Sequence, residues 1–159
     1  MTARRLTEGE HALARGLFGD AIDYDAVRVV LGKWFPFHPR NALMAPCGHI
    51  HAHPRGHLWS EDYSGDALWM QALFAHEMTH VWQAQMRGRF YLPLMRHPFC
   101  RYRYTLKPGH RFEDYGLEQQ AEIVRHVYLM REGRMAVGAA ALAELEAILP
   151  FDSDRRSVA

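Results

Sequence analysis

The sequence predicts an α+β fold: a small, mostly antiparallel sheet near the start of one domain, then strong helices, two of which carry the chemistry. Three observations predict it. Short β-branched and apolar runs broken by Gly and Pro occupy residues 24–54. Longer runs with helix start and stop signals lie on both sides of them. The chain has 159 residues, enough for one buried core, and shows no repeat, low-complexity linker or second composition block.

The elements follow in order. "LTEGEHALARGLFG" opens on Thr7 with Glu10 three residues on, a capping box, and Gly19 stands where a helix stops. A first helix is expected from Glu8 to Phe18. "YDAVRVVLGKW" reads as a first strand. "NALMAPCGHIHAHP" reads as a hairpin around Pro46-Cys47-Gly48, with His49, His51 and His53 alternating against Ile50 and Ala52. From Asp66 to Gln85 comes the longest helical pattern, with Asp66 as N-cap and Gly88 as its stop. It is apolar nearly all round, and such a helix belongs at the centre of a domain. Arg87 to Tyr115 is a long irregular stretch rich in arginine and aromatic residues. "GLEQQAEIVRHVYLMREG" is a second strong helix ended by Gly133, and "MAVGAAALAELEAILP" a third closed by Pro150. The polar tail "FDSDRRSVA" is expected to fray.

Composition excludes several classes. Hydrophobic content of 48% and charged content of 23% are those of an ordinary globular protein. A formal net charge of +1 gives no global field directed at nucleic acid or a membrane. Cys47 and Cys100 are too few for a disulfide framework and lack metal-ligand spacing, which suits a reduced compartment. No apolar h-region follows the basic start "MTARR", and no apolar run approaches a membrane span. The expectation is a soluble protein made in the cytoplasm, with any export using a route without a cleaved leader.

The chemistry lies in "LFAHEMTHVWQ". His76-Glu77-Met78-Thr79-His80 is an H-E-x-x-H sequence. With eleven histidines in the chain, chance alone produces such a motif roughly one time in twenty, so context decides. The context is a helix interior. Residues four apart share a helix face, so His76 and His80 can hold one ion. Glu77 lies about 100° further round, where it can reach a water rather than the metal. Two histidines and a glutamate in an apolar helix are costly without partners.

A catalytic zinc site normally has three protein ligands. Glu118 and Glu122 lie four apart on the next strong helix, and either carboxylate would complete a His-His-Glu set while the other hydrogen-bonds a ligand histidine. His97, His110 and His126 are alternatives. The histidines at 49, 51 and 53 read best as a half-exposed edge strand, which could hold a substrate backbone by β-addition. The segment from Arg87 to Phe112 carries many cations and, before Glu113, no acid. It reads as a loop over the cleft rather than a nucleic-acid groove. Tyr102, Tyr104 and Tyr115 are candidates to stabilise an oxyanion, and the spacing selects none of them.

"LFAHEMTHVWQAQ" resembles the H-E-[LM]-T-H-V-[VW]-Q signature of a bacterial zincin-like metallopeptidase family. That family is Vgr- or Rhs-related and occurs with contractile injection systems. The resemblance extends through "LARGLFGDAIDYDAVRVV", "PRNALMAPCGHIHAHP" and "FEDYGLEQQAEIV", from about Leu6 to Val127. Residues 118–122 also resemble the E-x-x-A-D segment of gluzincins of the CaaX-protease type, with Glu in place of the Asp. That resemblance implies Glu118 as third ligand and Glu122 as its supporter.

Together these readings predict a minimal zincin-like domain binding Zn2+ through His76, His80 and Glu118. Glu77 would be the general base in hydrolysing a peptide bond through a zinc-bound water. The partners implied are a peptide or protein substrate and a secretion system, with neither membrane nor nucleic acid. Two alternatives stand beside it: a non-catalytic zincin-fold adaptor or effector-associated module, and a hydrolase of peptidoglycan crosslinks.

Overall fold

A computed structural model describes residues 1–97, 99–134 and 140–151 of the chain. The predicted first helix is α1, Glu8–Phe18. Thr7 Oγ1 accepts from the Glu10 amide and the Glu10 carboxylate accepts from the Thr7 amide, so both halves of the capping box are made. Thr7 Oγ1 also donates to Asp62 at 2.9 Å. Thr7→Ala is therefore expected to cost about 1 kcal/mol, read as a lower urea midpoint at unchanged slope. An unchanged midpoint would show that Asp62 and packing hold this end without the cap.

Four strands follow the α+β expectation. They are β1, Thr2–Arg4; β2, Val29–Leu31; β3, Leu43–Met44; and β4, Ile50–Ala52, in sheet order β1-β2-β4-β3. The β1–β2 and β3–β4 pairs are antiparallel and the β2–β4 pair is parallel. The sheet is thus mixed but mostly antiparallel, and β3–β4 is the expected hairpin, with Gly48 taking φ 87° in its turn. One strand is added and two expectations are corrected. The basic start, for which no element was expected, forms edge strand β1, whose Arg4 pairs at 2.7 Å with the fully buried Glu10. Only Val29–Leu31 of the first predicted strand is extended, because Asp23 caps a short 3-10 turn at Tyr24–Ala26. Finally, β4 lies inside the sheet between β2 and β3, so the histidine-bearing strand is not the edge strand that β-addition requires.

The central helix is α2, Leu68–Arg87, which ends at Gly88 with φ 100°. Its cap stands one residue later than predicted. Asp66 closes a preceding 3-10 turn, its amide donating to the Tyr63 carbonyl, and Ala67 takes the cap position. Thirteen α2 residues are buried, among them His76, Glu77, Thr79, His80 and Gln83. Within the Arg87–Tyr115 stretch lie a short helix, α3 at Tyr91–Met95, and a 3-10 turn at Phe112–Asp114. Then come α4, Leu117–Arg131, and α5, Leu142–Ile148. The predicted start of the third helix, residues 135–139, and all of the tail expected to fray after its first residue, 152–159, lie outside the described residues; that first residue, Phe151, is not frayed but buried in the core. Helix α4 packs along α2, and Phe18, Trp82 and Phe112 close around Phe151 at ring separations of 4.8, 5.0 and 5.7 Å. The α2–α4 pairing places the two motifs face to face.

Candidate metal centre

Helix periodicity puts His76 and His80 on the α2 face that meets α4, and Glu118 enters from the first turn of α4. His76 Nε2 and His80 Nε2 each lie 3.2 Å from the same oxygen, Glu118 Oε2. One ligand atom from each of the three residues falls within 4.8 Å of the others. All three side chains are buried.

The second nitrogen of each ring is held. His76 Nδ1 is 2.9 Å from Glu122 Oε1, and His80 Nδ1 is 2.8 Å from Gln83 Oε1. Gln83 Nε2 donates to the Leu117 carbonyl and to Gln120 Oε1, and Gln120 Nε2 donates to the Tyr115 carbonyl. A carbonyl only accepts, so this chain turns the Gln83 oxygen toward His80 and places the His80 proton on Nδ1. An ionised Glu122 does the same for His76. Both Nε2 lone pairs then converge on a carboxylate oxygen, an arrangement that needs a positive charge between them.

In the chain alone a proton on His76 supplies that charge. Burial lowers the His76 pKa, but its hydrogen bonds with Glu118 and Glu122 and the charge of Glu77 outweigh this and push it up to about 9. For Glu118, burial acts upward, and the contacts with the His76 and His80 rings together with the charge of Arg96 hold it well below the usual carboxylate range. Burial likewise acts upward on Glu122, and its hydrogen bond with His76 and the charges of His76 and Arg125 outweigh it and lower the group. Burial raises Glu77 against the opposing charges of His80, His76 and Arg96. Glu77 Oε2 is buried with no hydrogen-bond partner among the described residues. Such an orphaned acceptor has a place for a proton donor.

The segment after α3 covers the cluster. Arg96 Nη2 lies 2.9 Å from Glu118 Oε1, and the Tyr102 ring stacks over His76 with centroids 6.3 Å apart at 18°. Tyr104 Oη is 2.6 Å from His126 Nδ1, whose Nε2 is 3.6 Å from Glu122 Oε2. Tyr115 Oη instead accepts from the Lys107 amide. Of the three tyrosines, Tyr102 thus stacks on a member of the triad, and Tyr104 is linked to Glu122 through His126.

The histidines outside the motif are not drawn in. His97 and His110 are exposed, and His126 reaches Glu122 rather than the triad. His49, His51 and His53 join no three-residue cluster of metal-ligating type among the described residues. Cys47 and Cys100 are free. Three contributors were missed in the sequence: Gln83, Gln120 and Arg96. Gln83 was legible as the residue three after His80 on the same helix face. Arg96 had no local signal.

This fold and cluster define a class: an α+β domain in which two packed helices bring two histidines and a glutamate to one buried point. No family model matches the chain. In an alignment of 135 positions that covers 79% of this chain, it is 42% identical to the type VI secretion system spike protein VgrG2b of Pseudomonas aeruginosa. The chain spans 13% of that protein's length. It is also similar to the solved effector domain of Pseudomonas aeruginosa VgrG2b, with a TM-score of 0.72 and 36% identity, covering 92% of this chain and 81% of that one. The chain belongs to the family of the VgrG2b effector domain, and the expected Vgr relationship is borne out. Among the described residues no helix is long and apolar enough to cross a membrane.

Proposed function

We propose that this chain is a secretion-system effector domain that hydrolyses peptide bonds with a bound divalent metal, zinc being the ion its donors suit. The observation carrying this reading is the convergence of His76 Nε2, His80 Nε2 and Glu118 Oε2 beside the orphaned Glu77 Oε2. Two imidazoles and one carboxylate are a donor set that zinc takes in hydrolytic sites. When bound, such an ion acts as a Lewis acid and makes water more acidic.

The chain's own residues would do the rest. Glu122 and Gln83 fix the ring orientations, so the ligand nitrogens are preset rather than recruited. Burial makes Glu77 a stronger base than an exposed glutamate, suited to take a proton from water and return it to the leaving amine. Tyr102 shields the open face of His76 from solvent. A purely structural site has no use for a buried carboxylate left without a partner, and this favours the hydrolase over the non-catalytic module.

The test is metal analysis of the purified chain, followed by profiling of new peptide termini in a proteome incubated with it. One zinc per chain and new termini are expected; a metal-free chain, or one that creates no termini, would remove the reading. A further expectation concerns Gln83. Gln83→Leu frees His80 Nδ1 and should weaken zinc binding by about 10-fold or more in a chelator competition. Unchanged affinity would show that packing alone orients the ring.

A further inference from the structure

A cavity of about 650 Å³ adjoins the cluster and shares Glu118 and Gln83 with it. Its floor is apolar, built from Trp82, Met86, Tyr91, Met95 and Phe99. Three of these keep unusual exposure for large apolar side chains: Met86 64%, Met95 52% and Phe99 84%. The rim is cationic. Arg87, Arg101 and Lys107 line it and make no ion pair among the described residues. Of the two acids on the wall, Glu118 is matched by Arg96, which leaves Glu113.

A second recess of about 290 Å³ continues the trough, sharing Arg101, Lys107, Tyr115 and Gln119 with the first. It adds Arg103 and His110, and its acid, Asp114, is paired with Arg111 at 3.4 Å. Beside a near-neutral whole chain, this is a local excess of positive charge next to an unfilled apolar floor.

We infer that this trough selects the substrate: it takes a peptide segment with a large apolar or aromatic side chain, seated on the Trp82–Phe99 floor, flanked by carboxylates facing Arg101, Arg103 and Lys107. The inference rests on the hydrolytic reading and names its substrate class. The floor argues for a polypeptide over peptidoglycan, whose short stem peptides offer carboxylates but no large apolar side chain. The concavity argues the same way against a flat anionic surface.

The test is fluorescence polarisation with the full chain carrying Glu77→Gln, so that nothing is cleaved. The probe is a labelled hexapeptide with a central Phe flanked by Asp on both sides. It should bind at least about tenfold more tightly than the same peptide with Lys for Asp or with Ala for Phe. Arg101→Glu with Lys107→Glu, both exposed, should invert the Asp-over-Lys preference, which loss of fold would not do. Met86→Glu should erase the Phe-over-Ala preference. Equal binding of all three peptides would overturn the inference, as would tighter binding of a muropeptide or of a single-stranded oligonucleotide. Selective binding by this variant with no cleavage by the unaltered chain would remove the hydrolytic reading alone; cleavage by the unaltered chain without selectivity in the variant would remove the trough alone.

Discussion

Glu77→Gln is expected to leave one zinc per chain and reduce peptide hydrolysis by about 10²–10⁴-fold, the usual contribution of a positioned acid–base group. Glutamine keeps the volume of the side chain and its place on α2, where Glu77 is 5% exposed. What it removes is the basic oxygen. The proposed ligands on either side, His76 and His80, keep their Nδ1 partners on Glu122 and Gln83, so metal content should not follow activity down. Because burial already disfavours the charged carboxylate, the substitution should not lower thermal stability. Hydrolysis retained by the variant would reject Glu77 as the base. Loss of zinc along with activity would show that it serves the metal site instead.

The second large effect separates the two glutamates of α4. Glu118→Ala removes the one oxygen that faces both His76 Nε2 and His80 Nε2 at 3.2 Å, and it deprives Arg96 of its partner. Glu122→Ala removes only the support behind His76 Nδ1. A lost supporter of this kind weakens metal binding by about 10–100-fold, and a lost ligand should exceed that. Zinc added to the unaltered chain should raise its melting temperature, since a ligand that binds only the folded state stabilises it. That rise should be smaller for Glu122→Ala and absent for Glu118→Ala at the same zinc concentration. The reverse order would exchange the two roles.

How much of this was legible differs from residue to residue. Helix α1 was readable to its ends because its cap, Thr7 and Glu10, and its stop, Gly19, are local. The start of α2 was not, because Asp66 serves two neighbours: its amide closes the 3-10 turn and its carbonyl accepts from Gln71. Strand β1 carries no apolar alternation and exists because it pairs with β2 and brings Arg4 to Glu10. Similarly, β4 looked like an edge strand because alternation reports which faces a strand has and not who lies beside it.

What the sequence determines by itself is periodic and local. His76, Glu77 and His80 lie mid-helix, Glu118 and Glu122 share a helix stripe, and the helix carrying the histidines is apolar enough to be central. Only the tertiary structure decides what depends on how α2 crosses α4. That crossing sets which glutamate meets both Nε2 atoms, which groups of α4 hold Gln83 in its turn, and which arginine and tyrosine from the intervening segment cover the cluster. The physical reason is one of length scale. A four-residue spacing is encoded in the turn of one helix, whereas a 3.2 Å meeting between residues 38 and 42 positions apart is set by packing around the core.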